Sequence, residues 1–199
     1  MSSGGATWIG FMALAVAAMV VSVLPRVSPI IRALPATVVI GGSLILVAFD
    51  LRPTPPSPAM GTLVSLVIST LGVVAGSAVT SAVLQLAMRS ATPPGTHGGI
   101  LVTTSSPGLD VVDAPVPNGS SGATREVLRG GAAIGHLERF AVISAAAIGH
   151  LELVALAIAI KGLGRFSELD NAEARERFII GTLSSMLWAG AAACVVLLP

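Results

Sequence analysis

Long apolar stretches alternate with short polar ones along this chain, and five of the apolar stretches have the length of a membrane-spanning helix. The five predicted spans are Ala6–Leu24, about Ile30–Phe49, Met60–Met88, about Phe140–Ile160 and Phe178–Leu198. Backbone polar groups inside a bilayer must be bonded internally, and these runs are too continuously apolar for the alternating strands of a barrel. The pattern therefore predicts an all-α polytopic membrane protein with about five transmembrane helices.

The polar connections divide the predicted protein into three parts. Residues 1–88 carry three spans, residues 89–129 form a loop rich in Pro, Gly and Ser, and residues 130–199 carry two spans. The loop composition cannot bury a core, so we expect it to be flexible, with strand character only in the piece GILVTTSS. Between the last two spans, Asp170 and Glu173 have capping-box spacing, which predicts that the final helix begins near Asn171.

Composition supports the membrane class. The chain has 199 residues, of which 53% are hydrophobic and 11% are charged, against about 25% charged residues in a soluble domain. The net charge of +1 supplies no basic field for nucleic acid, so the expected partners are the lipid bilayer and another membrane protein or a second copy of the chain. The first span is too long for the core of a signal peptide and is interpreted as a retained helix.

Orientation is only weakly indicated by the positive charges. Five spans place five Lys and Arg residues on one side and six on the other. Four of the positive residues lie in the short connection Lys161–Arg177, and short loops carry the most weight in the positive-inside rule. This interpretation places that connection and the N-terminus on the cytoplasmic side.

Small residues on the third span predict close helix packing. Gly72, Gly76 and Thr80 follow one another at intervals of four, which lets helix backbones approach closely. Packing within one chain is favoured over a dimer interface, and a pore lined by hydroxyls is a further alternative. The single cysteine, Cys194, can form no internal disulfide and is expected to be a small buried residue.

The heptapeptide AAIGHLE occurs twice, at Ala132–Glu138 and at Ala146–Glu152. On one continuous helix the copies would project from nearly the same face, about 21 Å apart. Glu138 would then lie beside Arg139 near the headgroups, and Glu152 would lie deep in the bilayer.

A carboxylate at the depth expected for Glu152 costs about 2.5–3.5 kcal/mol when charged. It would therefore need a partner from another helix, or a proton of its own. The candidate partners are Thr182 and Ser185 on the last span and Ser77, Ser81 and Gln85 on the third.

No motif in the chain indicates catalysis, a cofactor or a metal. In each repeat copy the His and the Glu are two residues apart, which places them on opposite sides of a helix, whereas a helical metal pair needs a spacing of four. No nucleophile with a neighbouring base and no phosphate-binding loop is recognisable. We therefore expect neither enzymatic activity nor a bound cofactor or metal.

Four sequence motifs carry a resemblance to a known family. They are IGHLER at Ile134–Arg139, Gly149 with Glu152, KGLGRFSEL at Lys161–Leu169, and IGTLSS at Ile180–Ser185. With this spacing, residues 131–194 resemble the C-terminal membrane segment of an uncharacterised family of bacterial multi-pass membrane proteins. The resemblance implies a bacterial plasma membrane and no known activity. The positions that it singles out are Glu138, Arg139, Glu152, Lys161, Arg165, Phe166, Glu168, Gly181, Thr182 and Ser185.

Three functions are compatible with these features. The first is a non-catalytic scaffold or accessory subunit, which is favoured because catalytic motifs are missing. The second is a small ion- or proton-coupled transporter or channel built around Glu152, since ionisable residues inside a membrane are functional candidates. The third is an intramembrane enzyme. Whichever function applies, we expect Arg165 to lie near Glu168 or Glu138, within a structured polar turn.

Overall fold

The computed structural model describes residues 3–51, 53–88, 100–103, 124–127, 131–165 and 172–197. The described elements are α1 (Ser3–Ser22), α2 (Pro29–Ala48), α3 (Pro58–Met88), β1 (Ile100–Thr103), β2 (Thr124–Val127), α4 (Gly131–Ala147), α5 (Glu152–Arg165) and α6 (Ala172–Leu197). They belong to two units, residues 1–90 with 133–199 and residues 91–132. In the second unit β1 and β2 pair antiparallel; β1 lies within the piece expected to have strand character, whereas β2 lies in a part of the loop where no strand was predicted.

Four of the described helices are long and apolar enough to cross a membrane, namely α1, α2, α3 and α6. They correspond to four of the five predicted spans, and the all-α polytopic class is confirmed. Helix α6 begins at Ala172, next to the predicted start. Helix α3 begins at Pro58, two residues before the predicted span, and Ser57 Oγ accepts a bond from Met60 N at 3.3 Å.

The core of the first unit is built from small side chains around α3. Ala75 on α3, Ala15 on α1, Ala36 on α2 and Ala189 on α6 are all fully buried. A Cβ atom added at Gly72 would lie 2.6 Å from the Cβ of Ala192, so this position requires glycine. The predicted packing of small residues within one chain is confirmed, because the glycines of α3 let α6 approach closely.

Neighbouring contacts fix the directions of α4 and α6 relative to α3. Gly72 faces Ile143 and Ala192, whereas Gly76, one turn further along α3, faces Arg139 and Trp188. Moving four residues forward on α3 thus moves four residues backward on both other helices. Helices α4 and α6 therefore run parallel to each other and antiparallel to α3.

The prediction of one continuous span over about Phe140–Ile160 is wrong. Helix α4 ends at Ala147, and Gly149 follows with a φ of 76°. The amide of Gly149 donates to Ala146 O at 3.0 Å, and the amide of His150 donates to Ala145 O at 2.8 Å. These two bonds form a Schellman motif, which ends a helix on a left-handed residue and is most often completed by glycine.

Helix α5 runs back along α4 after this turn. Lys161 lies nine residues beyond the start of α5, and its ammonium contacts Glu138, nine residues before the end of α4. The two helices measure about 26 Å and 21 Å, shorter than the roughly 30 Å of a hydrocarbon core. They form a helical hairpin, so the start of α6 lies at the same end of the bundle as the start of α4.

Candidate functional site

Arg139 lies at the centre of the bundle, where α3, α4 and α6 meet. Its side chain is 2% exposed, and its Nε donates to the backbone oxygen of Val73 at 2.7 Å. Val73 is about the middle residue of α3, which is 31 residues long. A helix of that length extends about 46 Å, so the guanidinium lies some 20 Å from either end of α3.

Hydroxyl groups from the two neighbouring helices complete the surroundings of Arg139. Its Nη1 donates to Ser185 Oγ at 3.1 Å, and its Nη2 donates to Ser77 Oγ at 2.9 Å. Gly76 provides the space, because an added Cβ there would overlap the Arg139 side chain. The guanidinium therefore connects α4 to α3 and to α6 through three bonds with neutral acceptors.

Glu138 and Lys161 form an ion pair between the two legs of the hairpin. Lys161 Nζ lies 2.6 Å from Glu138 Oε2, and the side chains are 15% and 8% exposed respectively. The ammonium also lies 5.4 Å from the centre of the Phe178 ring on α6, a cation–π distance. This pair connects α5 to α4, and the Phe178 contact adds α6.

Three buried side-chain oxygens near this level have no hydrogen-bond partner within the described part of the chain. They are Glu138 Oε1, Thr80 Oγ1 and Thr182 Oγ1. Buried polar atoms are usually satisfied by protein groups or by water. The second oxygen of Glu138 is thus the one acidic atom of the charge network that could accept a further proton or hydrogen bond.

The predicted environment of Glu152 is wrong. The residue lies in the first turn of α5 with its side chain 70% exposed, and its Oε1 lies 2.7 Å from His150 Nδ1. The hydrogen bond from His150 lowers the pKa of the Glu152 carboxyl below its ordinary value. On an unbroken helix these residues would face apart, but the turn at Gly149 brings them together.

The expected places of Glu138 and Arg139 are also corrected. Both were predicted near the headgroups, at the start of a span that begins at Phe140, but α4 begins at Gly131 and buries both side chains. Ser77 and Ser185 do serve as partners for a buried charge, although that charge is Arg139. The sequence did contain one signal that a large side chain lies between α3 and α4. Glycine occurs at positions 72 and 76 of α3, which face α4, and at position 135 of α4 itself.

The remaining predicted positions are distributed as follows. Gly181 faces Thr80 and Leu84 on α3. The side chain of Arg165 and all of Phe166, Glu168 and Asp170 lie outside the described residues, and so does the predicted contact of Arg165. Cys194 is exposed, which contradicts the expectation of a buried residue, since α6 turns this position away from the bundle.

A cleft of about 430 Å³ lies away from the charge network, at the end of the bundle where α2 finishes and α3 begins. It is lined by side chains of α1, α2, α3, α6 and the connection between α2 and α3. Apolar groups form most of its wall, including Phe11, Leu46 and Ile68. Among the residues that the structure describes, Asp50 is its one charged lining residue.

Neither the cleft nor the charge network has the composition of a metal centre. Within the described ranges, no three His, Cys, Asp or Glu side chains lie close enough together to hold an ion. No protein-family model, curated protein or solved structure matches the chain. The arrangement of Glu138, Arg139 and Lys161 is therefore the main structural basis for a functional proposal.

Proposed function

We propose that this chain is a non-catalytic integral membrane protein that serves as a scaffold or an accessory subunit of a membrane assembly. The observation that carries the proposal is the use of its interior charges. Arg139 binds a backbone carbonyl and two hydroxyls on neighbouring helices, and Glu138 binds Lys161 across the hairpin. These bonds hold helices together, and the described cleft does not include any of the three charged residues.

The resemblance of residues 131–194 to bacterial multi-pass proteins supports a place in the bacterial plasma membrane. The helical hairpin also bears on orientation. With α4 and α5 returning to one side, eight of the eleven Lys and Arg residues fall in or beside the connections that follow α1, α3 and α5. Only Arg52 belongs to the opposite side, and Arg139 and Lys161 lie within the bundle.

By the positive-inside rule, the connections after α1, α3 and α5 belong in the cytoplasm, and the α2–α3 connection belongs outside. For the N-terminus and helices α1 to α3 this orientation is the reverse of the one favoured by five spans, whereas the α5–α6 connection is cytoplasmic in both. The difference arises because the hairpin puts the three positive charges in or beside the α5–α6 connection, Arg165, Arg175 and Arg177, on the same side as those that follow α1 and α3.

A proton-coupled transporter is the second candidate, and one observation favours it. The buried Glu138 Oε1 has no partner within the described residues and could take a proton. Ionisable residues inside a membrane are candidates for proton relays. Glu138 replaces Glu152 in this role, because Glu152 is exposed and bonded to His150.

Proton flux in reconstituted vesicles separates the two functions. The wild-type protein, Glu138→Gln and the matched control Glu152→Gln would be compared for acidification of vesicles carrying a pH-sensitive dye. If the chain is a scaffold, we expect all three proteins to give the same acidification as protein-free vesicles. We also expect affinity purification of the wild-type protein from native membranes to recover a stoichiometric membrane partner. A different result would contradict the scaffold proposal and establish transport: vesicles with the wild type or with Glu152→Gln take up protons, and vesicles with a folded Glu138→Gln protein do not.

A further inference from the structure

The cleft beside Asp50 changes character from its interior to its rim. Ile68 in its wall is 1% exposed, and Leu46, Val64 and Val195 provide further apolar surface. At the opening lie the exposed side chains of Asp50 and Thr54. Trp8, which also lines the cleft, meets Phe11 edge-on with ring centres 6.2 Å apart. An apolar interior below a polar rim matches a ligand with an apolar chain and a polar head.

Asp50 occupies a left-handed backbone position, which aspartate tolerates better than most residues. It has a φ of 54° and follows the end of α2, with its own amide donating to Val47 O at 3.1 Å. The amide of Leu51 donates to Leu46 O at 2.8 Å, which completes the same Schellman motif that Gly149 provides for α4. Gly or Asn is the usual residue at this left-handed position.

The charge of Asp50 has a local cost. A helix C-terminus carries a partial negative charge, so a carboxylate there is repelled, whereas a cation is attracted. The described residues form no ion pair with Asp50 within 4.0 Å. A carboxylate that is unfavourable at a helix C-terminus, placed at the mouth of a cleft, indicates a function for its charge.

The size of the cleft limits the ligand. Small-molecule sites range from about 300 to 1,000 Å³, and this cleft lies near the lower end of that range. It accommodates one acyl chain rather than a whole phospholipid. Its opening is at the ends of the spanning helices, where lipid headgroups lie, so the surrounding bilayer is the direct source of such a chain.

We infer that this cleft is a lipid-binding site, in which one acyl chain lies against Leu46 and Ile68 while the ammonium of an ethanolamine headgroup contacts the Asp50 carboxylate. The apolar wall selects the chain, and the carboxylate selects a cationic amine over an anionic headgroup. Trp8 anchors the opening at the interface, as tryptophans do in membrane proteins. The site is independent of the charge network around Arg139.

Quenching of tryptophan fluorescence by brominated lipids tests this site in the full-length protein. The protein would be reconstituted with phosphatidylethanolamine or with phosphatidylglycerol carrying the same brominated chains. We expect stronger quenching by the ethanolamine lipid, with an apparent affinity ratio of about two- to five-fold, the range of an exposed ion pair. Trp8→Phe should remove this difference, because Trp188 is buried and bonded to Gly72 O away from the cleft.

Asp50→Asn supplies the specific variant, and Glu152→Gln is its control. Asparagine tolerates the left-handed conformation and removes the charge from the helix end, so the variant should unfold at the same or a higher temperature while losing the lipid preference. Glu152→Gln removes an exposed acid elsewhere and should keep the preference. Equal quenching by both lipids in the wild type, a preference retained in Asp50→Asn, or a preference retained in Trp8→Phe would each overturn the proposal.

Discussion

Arg139 makes three of the polar bonds between α3, α4 and α6 in the described part of the chain. Arg139 differs from a lysine at this place because its planar guanidinium directs donors at three acceptors at once, on Val73, Ser77 and Ser185. Its nearest carboxylate neighbour in sequence, Glu138, is engaged with Lys161 instead. The residue thus works as a connector between helices rather than as half of a simple ion pair.

Replacing Ser185 by alanine tests this role against a matched neighbour. We expect Ser185→Ala to lower the free energy of unfolding by about 0.6–1.7 kcal/mol, the range for interhelical hydrogen bonds in membrane proteins. Ser184 bonds only its own helix, through Ile180 O at 2.7 Å, so Ser184→Ala should be close to neutral. Thermal unfolding in one detergent gives both values, and equal losses would argue against the network.

The ion pair between Glu138 and Lys161 leads to a second prediction about the stability of single-residue variants. Glu138→Gln leaves the Lys161 ammonium mostly buried without a countercharge, and Lys161→Met leaves the carboxylate in the same state. Each single variant should lose about 3–5 kcal/mol, whereas the double variant should lose less than the sum and less than the worse single. A double-mutant cycle from thermal or denaturant unfolding measures the coupling, and additive losses would contradict a direct pair.

At the scale of elements, the hairpin depends on one glycine. Gly149 supplies the left-handed residue that ends α4, and without it the apolar sequence on both sides favours one continuous helix. The turn reverses the chain within four residues, Ile148–Leu151, and so places Lys161 beside Glu138. Local backbone conformation here decides which charges meet.

Alanine at two glycines should therefore have opposite effects. No atom lies within 4 Å of a Cβ added at Gly149, so Gly149→Ala meets no clash and pays only for its positive φ, about 1–2 kcal/mol. Gly162, inside α5, is equally unobstructed, and Gly162→Ala should stabilise the protein by about 0.5–1 kcal/mol. Thermal unfolding of the two variants checks the signs, and stabilisation by Gly149→Ala would exclude the left-handed turn.

At the scale of the whole molecule, the hairpin determines which connections share a side of the membrane. If residues 140–160 formed one continuous spanning helix, the turn after α1 and the start of α6 would lie on opposite sides of the membrane. The hairpin places them on the same side, with the α2–α3 connection across from both. The arrangement of α3, α4 and α6 derived from Gly72 and Gly76 requires this outcome.

Labelling of introduced cysteines distinguishes the two arrangements. In a Cys194→Ala background, Pro25→Cys, Thr54→Cys and Ala172→Cys each place one thiol at an exposed position. We expect a membrane-impermeant maleimide added to intact cells to label Thr54→Cys alone, and to label the other two after permeabilisation. Labelling of Pro25→Cys and Ala172→Cys from opposite sides would restore a five-span topology.

Length and apolarity were enough to predict four spans, because each of those helices contains a long apolar window with at most two charged residues. The hairpin was missed since Gly149 lies in an apolar run, where glycine also occurs within membrane helices. The surroundings of Arg139 were beyond prediction for another reason. Its hydroxyl partners are 62 and 46 residues away in sequence, and only the packing of α3 against α6 brings them together. The small residues of α3 predicted that the two helices pack closely, but they did not predict that the Arg139 side chain lies between them.

The hairpin also has a consequence for the order in which the protein is made. Helices α4 and α5 are short and carry Glu138, Arg139 and Lys161, so neither is a good substrate for insertion by itself. The acceptor Ser185 and the ring of Phe178 belong to α6, which leaves the ribosome after the hairpin. Stable insertion of α4 and α5 must therefore await synthesis of α6. Chains truncated before residue 172 should leave the hairpin open to protease, although α1, α2 and α3 hold them in the bilayer, and full-length chains should protect it.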